Sequence, residues 1–400
     1  MCVDSSCSVT LRSRLLAIVR LAASTSSVAS DIILLDANTE SKLVGYGRIV
    51  PVTDIPQLTR RKFVFVLGGA AVLLQSSCLA VAGARTKRSE RLTAWRRKAR
   101  DLGVRAVVVL RGSETLVSDG DVATPLRIAS IRKSLVSALF GIAVAERRVN
   151  LDASLADLGI NDYTPLTDTE RSATVRQLLM ARSGVYIPTA AETPAMKAAR
   201  PERGSHAPGT FWYYNNWDFN VLGEIYQRTT GEGLFTAIEH RLARPLGWRD
   251  FDALRQAVCS YDAESPRFPA YNISMSTRDM ALFGRLFLQR GRWRRQLIPE
   301  SWVDESTRPY SITGRAGYNG GYGFMWWVVP DDPSVDRRGV PAGTFTAAGN
   351  GGRYITIIPS LEIVVAVQPD EQRERPPVRL YAEPNAYSDL LAQLVEALRR

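Results

Sequence analysis

The sequence predicts an α/β fold in which one sheet is drawn from both ends of the functional region, with a helical block between them. Three observations carry this. Strand-like apolar segments fall within 104–120 and again within 322–367. Segments with helical spacing fill the interval. No internal repeat or low-complexity stretch interrupts the pattern.

In chain order, residues 88–101 have helical spacing. "VRAVVVLRGSETLVSDGD" reads as two strands meeting at Arg111–Glu114, a hairpin. Ser130 to Glu146 is an apolar helix. "TDTERSATVRQLLMARSG" reads as one helix that stops near Gly184, and 185–209 as a loop rich in Pro and Ala. Asp218–Thr229 and Leu234–Leu242 are helical, and "MSTRDMALFGRLFLQRG" is a helix ending at Gly291. "YGFMWWVVP" reads as a buried strand. "RYITIIPSLEIVVAV" is a strand pair turning at Pro359–Ser360, and Ser388–Leu398 closes the chain as a helix.

With 400 residues, 45% of them apolar, the chain can bury a sizeable core. Its net charge of +11 raises nucleic acid as a partner, but the residues speak against it. Only six of the basic residues are lysines. The arginines are scattered among acids, with no zinc-finger spacing and no basic–aromatic stripe. An arginine-biased solvated surface is the simpler account. Cys2, Cys7, Cys78 and Cys259 form no CxxC and no disulfide framework. His206 and His240 stand far apart without an HExxH, so neither a metal site nor a cofactor is expected.

Residues 59–84 read "TRRKFVFVLGGAAVLLQSSCLAVAGA". Arg60 and Arg61 precede an apolar run from Phe63 to Leu74, followed by small residues that suit cleavage after Ala82 or Ala84. This is the pattern of an export signal of the twin-arginine type. The alternative is an uncleaved anchor through 63–84, since about 20 apolar residues span a bilayer. The product is thus expected to be exported, periplasmic or secreted, or else held at the membrane. A signal belongs near the start of a chain, so 1–58 reads as a doubtful leader, with translation expected to begin near Val50 or Val52. N-terminal sequencing of the precursor tests this, and intact residues 1–58 would refute it. The functional domain is then 85–400.

Chemistry enters at "RIASIRKSLVSALFGIAV", residues 127–144. A serine hydroxyl needs a nearby base and gains from a helix N-terminus, where free N–H groups stabilise a developing oxyanion. Residues i and i+3 share a helix face, so Ser130 has Lys133 beside it. A lysine in a desolvated pocket can be neutral and act as that base. Chance supplies about 0.4 such Ser-x-x-Lys pairs in this chain, so the pair alone is weak. A helix-capping serine with a surface lysine would look the same.

"PGTFWYYNNWDFNVLG", Pro208 to Gly223, adds to it. With Ser130–Lys133 it resembles the serine β-lactamase and penicillin-binding protein superfamily, in its class C-like branch. It is most similar to 6-aminohexanoate-dimer hydrolase-like esterases. "LLMARSGVY", "YNISMSTRDMALFGRLFLQRGRW", "GYGFMWW" and "GNGGRYITIIP" extend the resemblance over most of 103–370. It implies a β-lactamase/transpeptidase-like fold, a mainly antiparallel sheet flanked by helices plus an all-helical region.

The branch places a Tyr-x-Asn after its PGT turn. Tyr213/Asn215 and Tyr214/Asn216 both fit, and the family spacing selects Tyr214 and Asn216, with Trp212 in the aromatic place. The resemblance implies Ser130 as the acylated nucleophile, Lys133 as its activator and Tyr214 as the proton relay. Asn216 would orient Lys133 or the substrate. The backbone N–H groups of Ser130 and Asn350 would form the oxyanion hole. The third family motif, Lys- or His-x-Gly, falls on Ala347, Ala348 and Gly349, so its cation is missing. Arg353 is a candidate replacement. Tyr186 and one of Trp326 and Trp327, with Trp327 preferred, are candidate pocket walls, because period-two alternation sends only one indole to the cleft.

The expected protein is therefore an exported serine hydrolase that cleaves an ester or small amide through an acyl-enzyme. A β-lactamase or D,D-carboxypeptidase is the alternative within the class. A non-catalytic protein of this fold, binding peptidoglycan or a partner, is the alternative outside it.

Overall fold

The computed structural model describes residues 42–45, 48–51, 87–261, 266–370, 379–383 and 385–399. The chain divides into two units, Met1–Lys87 and Arg88–Arg400. In the first, Lys42–Gly45 pairs antiparallel with Arg48–Pro51. The signal or anchor expected at 59–84 lies outside the described residues. Among those that are described, no helix is long and apolar enough to cross a membrane.

The second unit opens with helix α1 through 88–101. Strands β1 (Val104–Arg111) and β2 (Glu114–Gly120) form the expected hairpin. The short β3 (Leu126–Arg127) leads into α2 (Ile131–Ala145), and α3 (Asn216–Thr230) lies in the central block. Next come β4 (Ala257–Ser260), β5 (Ala270–Met275) and α4 (Thr277–Leu288). The final third supplies β6 (Ser311–Ile312), β7 (Gly321–Tyr322), β8 (Trp327–Val328), β9 (Phe345–Gly349), β10 (Arg353–Ile358) and β11 (Ile363–Pro369). Helix α5 (Ala386–Arg399) follows.

Eight strands make one antiparallel sheet in the order β2-β1-β11-β10-β9-β8-β7-β6. Both ends of the unit contribute, as the sequence predicts. β11 is buried along its whole length, and alternation splits its side chains between two cores. Val365 and Val367 join Leu92, Trp95, Leu390 and Leu394 under α1 and α5. Val364 and Ala366 face the other way, toward α2 and α4. Each such valine contributes about 1.5–3 kcal/mol of burial. Trp95 Nε1 donates to the Leu390 carbonyl at 2.8 Å, which ties α1 to α5. Helix α2 is buried from Ile131 to Ala143. A helix apolar on all sides belongs inside, and α2 runs between the sheet and the helical block.

Four local readings change. The segment 167–184 is two helices, Asp168–Arg171 and Val175–Leu179, each opened by its own capping box at Thr167 and Thr174. "YGFMWWVVP" is interrupted between β7 and β8, where Met325 takes a left-handed φ of 61°. The middle block carries, besides its helices, a three-stranded sheet ordered β3-β5-β4. Glu300–Ser306 and Pro194–Ala199 are further short helices.

Candidate active site

Ser130 sits where β3 gives way to α2. Arg127 pairs with Ser274 of β5, and the Ile128 N–H reaches the Ile273 carbonyl at 2.9 Å, so the chain is fixed up to residue 128. Ala129 then adopts φ 47°. That left-handed conformation costs a residue with a Cβ, and such strain persists only where neighbours hold it. It turns the chain sharply and leaves Ser130 as the N-cap of α2. The Ser130 hydroxyl makes no cap hydrogen bond. Its Oγ lies 2.8 Å from Lys133 Nζ, one turn on.

Lys133 is 3% exposed. Its Nζ is 2.7 Å from Tyr214 OH and lies 4.4 and 4.6 Å from the ring centroids of Tyr214 and Phe219. Burial strips the ammonium of water, and the adjacent Arg132 guanidinium repels a second positive charge. Together they hold the Lys133 amine well below its ordinary range.

Tyr214 stands just ahead of α3. The Asn215 side chain accepts from the Trp217 N–H at 3.2 Å and donates to Val185 O at 2.7 Å and Asp218 Oδ1 at 2.9 Å. Ser183 Oγ donates to the same Asp218 carboxyl at 2.5 Å. The PGT turn is tied to the same loop: the Gly209 N–H donates to Arg182 O at 2.8 Å, and Arg182 Nε to Gly209 O at 2.9 Å. These bonds lock the segment before α3 against residues 181–185. The Tyr214 ring stacks on Trp327, centroids 5.3 Å apart at 18°, and meets Tyr322 edge-on. Burial raises the pKa of its phenol, against the Ser130 hydroxyl and the charges of Arg132 and Arg315, which act to lower it. Tyr213 turns the other way and donates to the Met196 carbonyl at 2.8 Å. Of the two registers open in the sequence, the one at Tyr214 is the one at Ser130.

A cavity of ≈ 770 Å³ opens at Ser130. Tyr214, Asn216, Trp327, Ala348, Gly349, Asn350 and Arg353 border it, so most of the expected residues converge. Trp326 is wholly buried and packs on Phe283 and Phe287, as alternation requires. Ser130 and Asn350 both border the cavity, and the Arg353 guanidinium donates to the Asn350 carbonyl. Gly349 has a steric reason. A Cβ there would collide with the carbonyl oxygen of Ile128, so β9 could not lie against the turn that presents Ser130.

Three expected placements differ. Tyr186 is not a cavity wall. It is 5% exposed and packs edge-on against His206 and Tyr213. Of the two roles expected of Asn216, the one toward Lys133 is not seen, since its amide nitrogen donates to the Ala191 carbonyl at 2.6 Å and Lys133 is met by Ser130 and Tyr214, while its place at the cavity border suits the one toward a substrate. Ala347 points into the core, and only Ala348 and Gly349 of the third motif reach the cavity. The sequence reading also passed over Arg127, Arg132 and Arg315, which line the same cavity. For Arg132 a signal was present: a guanidinium two residues past Ser130, at the head of an otherwise apolar helix. Among the described residues no group of three His, Cys, Asp or Glu is placed to hold a metal ion.

The Beta-lactamase family model matches residues 93–382. A protein from Bacillus anthracis, provisionally designated a 6-aminohexanoate-dimer hydrolase, superposes with a TM-score of 0.53 at 21% identity over 76% of this chain and 82% of its own. A penicillin-binding protein homologue from Caulobacter crescentus gives 0.53 at 17% over 77% and 98%. EstCE1, a hydrolase with promiscuous acyltransferase activity, gives 0.52 at 15% over 77% and 99%.

Proposed function

This chain belongs to the β-lactamase family, and from that premise we propose that it is a serine hydrolase that cleaves an ester or small amide through an acyl-enzyme on Ser130. One observation carries the reading: a buried amine, Lys133 Nζ, lies within hydrogen-bond distance of both Ser130 Oγ and Tyr214 OH. A serine and a phenol that share one desolvated amine form a proton-transfer chain of three groups.

In the forward step the Ser130 O–H gives its proton to Lys133 Nζ as Oγ bonds to the substrate carbonyl carbon. The carbonyl oxygen takes the negative charge, and the N–H groups of Ser130 and Asn350 are the donors assigned to it. Donors of that kind are worth about 3–4 kcal/mol each to the transition state. Lys133 is the proton reservoir, and Tyr214 passes a proton to the departing oxygen or nitrogen as the carbonyl–leaving-group bond breaks. Tyr214 is then reprotonated from Lys133. Deacylation reverses the roles. A water gives its proton to the Tyr214–Lys133 pair, its oxygen attacks the acyl carbon, and Ser130 Oγ leaves with a proton.

Ala347 bears on the substrate. It is buried where the family carries a cation that holds the carboxylate of a β-lactam, so this chain lacks that means of recognition. Ester or amide hydrolysis needs nothing from that position.

Mass mapping after treatment with a fluorophosphonate is expected to find one adduct, on Ser130. Ser130→Ala is expected to lose the adduct and to drop p-nitrophenyl ester turnover at least about 100-fold with the fold unchanged. Activity retained above about a hundredth of wild type overturns the assignment. Tyr214→Phe is expected to slow turnover far more than Tyr213→Phe, because only the first hydroxyl touches Lys133. The reverse order in steady-state kinetics contradicts the proton chain.

A further inference from the structure

We propose that the cavity at Ser130 selects a substrate that carries a carboxylate, anchored by the guanidinium of Arg132; the inference rests on the hydrolase reading above and names its substrate class. Arg132 is two residues beyond the nucleophile and 5% exposed. Its Nη1 reaches the Ala129 carbonyl at 3.4 Å. Its Nη2 is buried and without a hydrogen-bond partner, yet the residue lines the cavity. A buried charge with an idle donor is costly, and a neutral side chain of similar volume would pack there without that cost. The arrangement makes physical sense if an anion completes it. Burial pushes the Arg132 guanidinium down only to about 10, so it stays charged at neutral pH.

The surroundings agree. Arg127 and Arg315 line the same cavity. Arg127 Nη2 donates to the neutral Asn272 Oδ1 at 2.9 Å, and the Arg315 guanidinium lies 5.4 Å from the Trp327 ring centroid. Among the described residues no carboxylate forms an ion pair with Arg127, Arg132 or Arg315. Glu192 also reaches the cavity, but its carboxylate is occupied by Arg200 at 3.2 and 3.0 Å and by the Thr189 N–H at 3.2 Å. The enclosed space is therefore cationic, and a partly closed cleft of one sign concentrates the opposite sign. The fork of an arginine matches a carboxylate in particular. Ala347 is silent here, so anion recognition starts from α2, beside the nucleophile, and not from the strand.

Two pairs of neutral and charged esters test this. p-Nitrophenyl hydrogen glutarate against p-nitrophenyl methyl glutarate places the charge in the acyl part. 4-Acetoxybenzoate against its methyl ester places it in the leaving part. The expected result is a kcat/KM ratio of about 10- to 100-fold in favour of the charged member of one pair, the range a charge-assisted hydrogen bond supplies. The pair that shows it locates the carboxylate. Arg132→Gln should bring the ratio close to one, chiefly through KM of the charged ester, and Arg132→Lys should restore part of it. If Arg132→Gln does not fold, Arg315→Gln and Arg127→Gln should each reduce the ratio. Ratios near one in both pairs, with neutral esters turned over normally, overturn the proposal and leave the hydrolase reading standing. So does an Arg132→Gln that leaves the ratio unchanged, whatever loss both members share through Lys133. If no ester acylates Ser130, the hydrolase reading falls and this inference with it.

Discussion

The site depends on one amine held away from water. Lys133 Nζ bridges Ser130 Oγ and Tyr214 OH only because α2, on which it rides, is buried on all sides. The sheet, the helical block and the capped start of α3 can be understood as what keeps that amine enclosed. If α2 lay on a surface, water would solvate the lysine and its proton would stay on, and the proposed mechanism would lose its base.

Burying a lysine has a consequence for stability. Each unit by which its pKa falls on folding corresponds to about 1.4 kcal/mol. The sign follows from linkage. The folded chain releases the Lys133 proton at a lower pH than the unfolded chain, whose lysine keeps its ordinary 10.5. Between those values the unfolded state binds more protons, so this group's contribution to stability rises with pH. It is complete above 10.5 and lost as pH falls through the depressed value. Near neutrality the domain therefore gives up stability to keep this amine enclosed, and the turn at Ala129 works in the same direction. Arg132 adds to both effects, since it holds down the lysine and is itself buried.

Much of this was legible in the sequence because its signals are local. Ser130 and Lys133 are one helical turn apart, and the spacing of the resembled family after its PGT turn selects Tyr214 over Tyr213. The strands at both ends of the unit were visible as apolar runs. What escaped depends on contacts distant in sequence. Tyr186 was expected at the cavity, but the bonds of Ser183 and Asn215 to Asp218 set the course of its loop, and its ring meets His206 and Tyr213. The apolar run at 322–330 breaks because Met325 is held from outside, its N–H by Leu179 O at 3.1 Å and its carbonyl by Ser134 Oγ at 2.8 Å. β5 pairs with β4 on one edge and with two residues near Ser130 on the other, a partnership no local pattern announces. Arg132 was passed over because an arginine beside a lysine reads as surface, and only the fold puts it inside.

The central claim is that burial makes Lys133 a base well below the ordinary lysine range. The most direct test is the pH dependence of kcat/KM for a neutral p-nitrophenyl ester, which reports ionisations of the free enzyme. The account predicts a rise with pH that levels off well below 10.5 and belongs to the Lys133–Tyr214 pair. A rate that keeps climbing through pH 10, as for an ordinary lysine, would contradict it. So would a profile left unchanged by Lys133→Met.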